Sequence, residues 1–340
     1  MPFDASRIPP GSRSAGVPAL PTLIRLPLRE THFRAMGCAI DVLVLGGSDR
    51  LLDLATSRVR ELDRGWSRFI PDGELSRFNA RAGHTTRVTP DLLVLLRRGL
   101  AGFRLSSGLF NPFLGRQIIQ AGYDRDYDEL VPAPSTEPAT ETPATQAWSG
   151  RRARPRPRRG LVAPLHLNVT RRLARLDPDV QFDSGGIGKG LGADLVVAHL
   201  LENGAAGVMV SLGGDVAVGG SYPDQGWRIG IADPFDRDNV PARSVVLRAG
   251  ALCSSGTLKR RWRTPDGSSA HHILDPTTGR PLRGNGIVAV SAVAPAGWRA
   301  EVLTKAALVG GLPVAQRLAA RHRDCALLLW NESGELVSAG

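Results

Sequence analysis

With 340 residues, 42% of them hydrophobic, the chain can bury a large core in one large or two ordinary domains. No run approaches 18 apolar residues, so no membrane-spanning helix is expected. Three scattered cysteines (Cys38, Cys253, Cys325) argue against a disulfide framework or a zinc site and fit a reducing cytoplasm. The formal net charge is +11, but the six arginines of residues 151–159 (RRARPRPRR) supply more than half of it. That concentration marks a solvated segment. Contact with RNA, a membrane or an acidic partner is the lesser reading, and no specific nucleic acid is expected.

Residues 1–30 read as a mobile tail, with Pro9, Pro10, Pro18 and Pro21 but without the basic-then-apolar order of a signal peptide. Met36 to Leu45 reads as a strand ended by Gly46-Gly47. Asp49 can cap a helix through about Trp66, with Leu51, Leu52, Leu54, Val59 and Leu62 as its apolar stripe. A Pro71-Asp72-Gly73 turn follows, and Thr89 can cap a second helix over 90–106. Residues 131–160 have no periodic apolar face and read as a disordered insertion within a domain. Strand-like segments resume over 161–170 and 173–182.

The densest glycine cluster is Gln181-Phe182-Asp183-Ser184-Gly185-Gly186-Ile187-Gly188-Lys189-Gly190. It lies before an apolar run with helical spacing (Leu195, Val196, Ala198, Leu200, Leu201). Glycines let backbone approach a ligand closely, and a helix start aims free N–H groups at it. A phosphate is the expected guest, with Asp183 at the rim as acceptor and Lys189 as a point charge. The stretch is neither a Walker loop nor the dinucleotide fingerprint. A tight strand-to-helix turn without any ligand is the equal alternative.

Further on, 207–212 reads as a buried strand ending in a second glycine turn, Gly213-Gly214-Asp215. Strands are expected at 227–231, 244–247, 287–294 and 326–330, and a helix at 299–309. Ala251 to Gly256 starts a polar segment leading to His271-His272-Ile273-Leu274-Asp275-Pro276 and a Thr277-Thr278-Gly279 turn. Strands and helices do not alternate as regular βα units, so the class is α+β.

Laid out in order, these segments resemble the FAD:protein FMN transferases, the ApbE family. The matching pieces are Met36-Gly37, WSRFIPDGELSRFN at 66–79, GLFNPF at 108–113, FDSGGIGKG at 182–190 and SLGGD at 211–215. SSG at 254–256, HHILDPTTG at 271–279 and AEVLTKAALVGG at 300–311 complete the set, which spans roughly residues 31–335. The resemblance implies a T-fold-like domain of mixed sheets packed with helices, here over 31–340 and interrupted at 131–160. It implies an enzyme that binds FAD, splits its pyrophosphate, releases AMP and leaves FMN as a phosphodiester on a Thr or Ser of a target protein. An FAD pyrophosphatase and a catalytically impaired flavin-binding protein are the alternatives.

By the same resemblance Met36, Phe69, the loop Leu109-Phe110-Asn111 and Asp183 contact the dinucleotide, with Lys189, Gly213, Gly214 and Ser255 beside it. His272 matches the catalytic histidine. A neutral imidazole can take a proton from an attacking hydroxyl, and Asp275 is expected to orient the ring. His271 is expected to be structural. The implied Mg²⁺ is held by the carbonyl at Gly186 and by an Asp and a Thr four residues apart. At those last positions stand Glu301 and Lys305. Either Glu301 and Thr304 hold Mg²⁺ together, since residues three apart share a helix face, or Lys305 pairs with Glu301 and replaces the metal's charge. Retained Mg²⁺ is the expectation carried forward. Cys38 and Asn111 stand where the family has Thr and Asp.

Overall fold

The computed structural model describes residues 26–133, 162–235, 241–264 and 267–339. It opens with the hairpin β1 (Leu28–Ala35) and β2 (Cys38–Leu45), followed by helices α1 (Arg50–Trp66) and α2 (Glu74–Ala80). Strand β3 (Thr86–Arg87) leads to α3 (Pro90–Leu105) and α4 (Gly115–Gln120). Strands β4 (Leu165–Asn168) and β5 (Leu173–Leu176) precede α5 (Gly188–Glu202). Then come β6 (Gly207–Leu212), β7 (Asp215–Gly220), β8 (Trp227–Ala232), β9 (Pro241–Leu247) and β10 (Gly250–Gly256). After short β11 (Arg261–Arg263) and β12 (Ser269–His271), the chain closes with β13 (Ile287–Ala294), α6 (Gly297–Arg321), β14 (Ala326–Asn331) and β15 (Leu336–Ser338).

Eight strands form the main sheet, in the order β1-β2-β6-β7-β10-β13-β14-β15. The α+β class stands, and within it every named strand pair is antiparallel; the parallel contact among the described residues is the isolated bridge Leu114–Gln181. Side chains alternate across a strand, and the sheet uses both faces. On β2, Ile40, Val42 and Val44 pack with α1, α3 and α5, while Leu43 and Leu45 face the other way. That second face is covered by the β8–β9 hairpin through Trp227, Ile229 and Ile231.

Several sequence expectations shift. The expected tail ends early, since residues 28–30 already pair with 43–45 in the sheet; residues 1–25 lie outside the described residues. The expected single strand from Met36 is two strands, with Met36 and Gly37 at the turn between them. The expected insertion does not start at residue 131, because Pro132 bridges to Trp262 and the Ala133 amide donates to the Arg261 carbonyl. Residues 134–161 lie outside the described residues. The expected polar segment 251–256 is strand β10, whose Ala251, Leu252 and Cys253 are buried in the sheet centre.

Three helices carry the site. α1 buries Leu51, Ala55, Val59, Leu62 and Trp66, the spacing of one helix face. α5 and α6 cross where Gly190 meets Gly297: a Cβ on either would stand 2.4 Å from the other's carbonyl oxygen. At the same crossing the Asp194 carboxylate accepts from the Gly297 and Trp298 amides, capping the start of α6. Burial pushes the Asp194 carboxyl up to about 6, against the pull of those two amides. Gly190→Ala is therefore expected to force the helices apart and cost about 1–3 kcal/mol in urea denaturation. A loss within 0.5 kcal/mol, a figure typical of about half a methylene's burial, would show that the crossing relaxes freely.

Candidate active site

A cavity opens between the β1–β2 turn, the loops after α1 and α3, the glycine stretch, β12 and the first half of α6. The turn presents Met36 at φ 51 and Gly37 at φ 63, left-handed backbone suited to a two-residue hairpin. The Met36 amide is held by Asp63 Oδ2 at 3.0 Å. In the loop after α3, Ser106 Oγ accepts from the Phe110 amide at 3.0 Å, and Asn111 Oδ1 from the Phe113 amide at 2.9 Å. Asn79 clamps both backbone groups of Phe182, at 2.8 and 2.9 Å, and the Asp183 amide donates to the Pro112 carbonyl. Asp183 is thus placed by α2 and by the loop after α3 before any ligand arrives.

Asp183 Oδ1 accepts from Arg68 Nε at 3.1 Å. The Arg68 guanidinium lies 4.1 Å from the Phe69 ring centre and 4.7 Å from that of Tyr123. Phe69, Tyr123 and Tyr127 make an aromatic wall on that side, with centroid spacings of 5.4 and 6.5 Å. An apolar wall with a planar cation fits a flat, aromatic ligand.

His272 follows β12 and faces the same cavity. Its Nδ1 is buried without a hydrogen-bond partner among the described residues, so none of them fixes its tautomer there. Burial, then the Arg260 charge, holds its pKa well below the ordinary imidazole value. The neighbouring His271 is structural as expected: Nε2 lies 3.1 Å from the Leu282 carbonyl and Nδ1 accepts from the Ile273 amide. Burial, then Arg261, lowers His271 to about 4.

Below the polar end lie four charges. Lys189 pairs with Asp215, which also accepts from the Ser254 amide. Lys189 Nζ is 3.8 Å from Glu301 Oε1, and Lys305 Nζ is 3.1 Å from the same oxygen. Glu301 Oε2 accepts from the Gly190 amide at 2.8 Å. Burial pulls the Lys189 ammonium down, but Asp215 and Glu301 outweigh it and hold its pKa above the usual value.

A family model for ApbE matches residues 36–329. The chain belongs to the ApbE family. It is 32% identical over 285 residues to the FAD:protein FMN transferase of Rhodobacter capsulatus, covering 82% of this chain and 50% of that protein. The chain thus spans about half the length of that relative. It is also 32% identical over 271 residues to the FAD:protein FMN transferase of Treponema pallidum, covering 76% and 68%. The Thermotoga maritima ApbE protein has the same fold, with a TM-score of 0.73 at 22% identity over 92% of this chain and 97% of that one.

In this ApbE chain the cavity gathers Met36, Phe69, Leu109, Phe110, Asn111, Asp183, Gly186, Lys189, His272 and Lys305. Ser255 lies one bond behind it, 3.2 Å from Lys305 Nζ. Gly213 and Gly214 turn between β6 and β7 at φ 62 and 90, exposed and outside the cavity lining. A side chain on Gly213 would meet Cys38 at 2.9 Å. At Gly186 a Cβ would crowd the Phe110 ring at 3.0 Å.

Three expectations are corrected. Asp275 does not orient His272: its Oδ1 accepts from the Thr277 amide in the following turn, while His272 Nδ1 has no partner. The start of α5 does not offer the Gly190 N–H to a phosphate, because Glu301 takes it. Glu301 and Thr304 do not form an open metal site. The Glu301 oxygens accept from Gly190 and Lys305, and the Thr304 hydroxyl lies 2.8 Å from both the Glu301 carbonyl and Ser255 Oγ. Among the described residues no cluster of three or more His, Cys, Asp or Glu side chains could hold a metal ion. With Glu301 and Thr304 engaged within the protein and the Lys305 ammonium beside them, this donor set does not fit Mg²⁺.

Sequence reasoning missed Arg68, Tyr123, Tyr127 and Arg260, all in the cavity lining. The adjacency of Arg68 and Phe69 was the available signal; the tyrosines and Arg260 meet them only through the fold. Asp183→Ala leaves the largely buried Arg68 without its carboxylate, and the guanidinium is expected to leave the aromatic wall. FAD affinity should fall about tenfold or more, roughly the 1.5–3 kcal/mol of one charged hydrogen bond, in a flavin fluorescence titration. Unchanged affinity in a folded variant would remove Asp183 from the site.

Proposed function

We propose that this chain is an FMN transferase: it binds FAD, joins FMN through a phosphodiester to a Thr or Ser of a flavin-accepting protein, and releases AMP. The observation that carries the reading is a neutral His272, its Nδ1 without a partner among the described residues, in one cavity lined also by Phe69, Tyr123 and Tyr127 and by Lys305. The flavin stacks at the wall, and the pyrophosphate lies toward Lys305 and Gly186. The acceptor hydroxyl passes its proton to the His272 imidazole as its oxygen bonds to the FMN phosphorus. The bond from that phosphorus to the bridging oxygen breaks, and the electron pair leaves on AMP. Charge grows on the phosphoryl oxygens, where the Lys305 and Arg260 cations oppose it. The names borne by the Rhodobacter and Treponema relatives support the reading. No step is routed through magnesium, because Glu301 and Thr304 are engaged within the protein.

A cytoplasmic location belongs to the same proposal and is supported by three free cysteines. Among the described residues no helix is long and apolar enough to cross a membrane. Incubation with FAD and candidate acceptor domains tests the function by following AMP, free FMN and protein-bound flavin. Bound flavin with AMP is the expected result. Free FMN with AMP would make the protein a pyrophosphatase, and tight FAD without AMP a binding protein.

The pH dependence is a separate expectation. A general base works unprotonated, and burial with Arg260 lowers the His272 pKa. The loss of base on acidification therefore moves below the ordinary imidazole value of 6.5. Transfer under saturating FAD and acceptor should hold steady as pH falls from about 7.5 to about 6.5. An acid limb at or above 6.5 would contradict a buried neutral base.

A further inference from the structure

We propose that Lys305, rather than a divalent cation, supplies the positive charge at the FAD pyrophosphate, so that this chain binds and cleaves FAD without divalent metal. The proposal rests on the FAD reading above and concerns how its polar end works.

The charges below the cavity balance without a metal. Lys189 and Lys305 face Asp215 and Glu301, whose side chains are 2% and 0% exposed. A divalent ion here would stand beside two ammonium groups whose charges already match the two buried carboxylates. It would also need oxygens at about 2.0–2.1 Å in near-octahedral array. Both Glu301 oxygens and the Thr304 hydroxyl are already engaged within the protein.

Lys305 is built to serve the cavity instead. Its stem lies along Gly186, where a Cβ would stand 3.5 and 3.6 Å from Cδ and Cε. An ammonium has three donors. One goes to Glu301 at 3.1 Å and one to Ser255 Oγ at 3.2 Å. The third is left for a non-bridging oxygen of the bound pyrophosphate. In the transfer the acceptor hydroxyl's proton goes to His272, one phosphorus–oxygen bond forms, one breaks, and AMP leaves.

The test uses the full chain, freed of metal on a chelating resin and saturated with FAD. Mn²⁺ is the probe, its free signal followed by electron paramagnetic resonance with FAD alone as blank. Wild type is expected to withdraw no Mn²⁺ beyond the blank. Its FAD affinity, read by flavin fluorescence, should agree within about twofold in EDTA and in Mg²⁺. Lys305→Thr removes the ammonium and frees Glu301, and Mn²⁺ should then bind at least about tenfold more tightly than to wild type. Lys305→Met should weaken FAD about tenfold or more in EDTA, with no rescue by Mg²⁺. One Mn²⁺ taken up per wild-type chain, a wild-type FAD affinity that collapses in EDTA, or a Lys305→Met variant that binds FAD like wild type overturns the proposal. If Lys305→Thr does not fold, the wild-type titration and Lys305→Met decide alone. None of these readouts needs an acceptor. Failure of flavin transfer to every acceptor tried would count against the transferase reading and leave the metal result standing.

Discussion

His272→Ala is expected to abolish most flavin transfer while FAD still binds. A Thr or Ser hydroxyl is a poor nucleophile until a base takes its proton. Among the side chains lining the cavity, His272 is the one whose ordinary pKa lies near 7, and burial keeps it neutral there. General-base help is typically worth about 10²–10⁴-fold in rate, and that is the loss expected in kcat. FAD binding should survive, because the Arg68–Asp183 pair and the aromatic wall stand on other elements. His272→Asn keeps a polar side chain of similar width and separates hydrogen bonding from proton transfer. Transfer near the wild-type rate in either folded variant, with chemistry rate-limiting, would end the general-base role. Asp275 could not then inherit it, since its carboxylate is committed to the Thr277 amide and lies outside the cavity lining.

Glu301→Ala should produce the largest loss of stability of any substitution near the site. The carboxylate is fully buried and holds Lys305, the Gly190 amide and, more distantly, Lys189. Removing it leaves the Lys305 ammonium, with a side chain 12% exposed, facing no carboxylate within the cluster. Breaking a buried pair from one side typically costs about 3–5 kcal/mol, and that range is expected in urea denaturation. The double variant Glu301→Met with Lys305→Met removes both charges and should lose less than Glu301→Ala alone. Lys189 keeps Asp215 in either case. A cost below about 1 kcal/mol for the single variant, the range of an exposed pair, would show that water reaches the cluster and screens it.

The sequence carried local structure well where one face of an element is buried. α1 and α3 were legible because their apolar positions repeat with the helix, and Thr89 does cap α3 by accepting from the Leu92 amide. β10 was not legible: Cys253, Ser254 and Ser255 look polar, but the strand lies in the sheet centre and Ser254 and Ser291 hydrogen-bond across it at 2.6 Å. α6 was read only as far as Val309. It resumes after a break at Gly311, where φ is 68 and Asn285 takes up the freed carbonyls of Leu308 and Val309. At the site, Asp183 and His272 could be picked out as chemistry in a motif. The Glu301–Lys305 pair was open to helix spacing, but its meeting with Lys189 and Asp215 was not, because the cluster is drawn from three separate elements, α5, β7 and α6. Pairing Glu301 with Thr304 on helix spacing alone overlooked that a helical threonine can bond back to its own backbone, as Thr304 does.

The position of β2 between β1 and β6 also bears on how the chain is made. β2 pairs residue for residue with β6, from Ile40–Leu212 to Leu45–Gly207, and the whole of α1 to α5 lies between them in the chain. On a ribosome adding about 5–20 residues per second, the first hairpin waits roughly 8–30 s for that neighbour to be synthesised. During that interval Ile40, Val42 and Val44 have no completed core, and the open edge of β2 is a template for strands of other chains. Newly made protein is therefore most exposed to misassembly before residue 212 emerges. Slowing translation between residues 45 and 207 should lower soluble yield more than slowing it after 212.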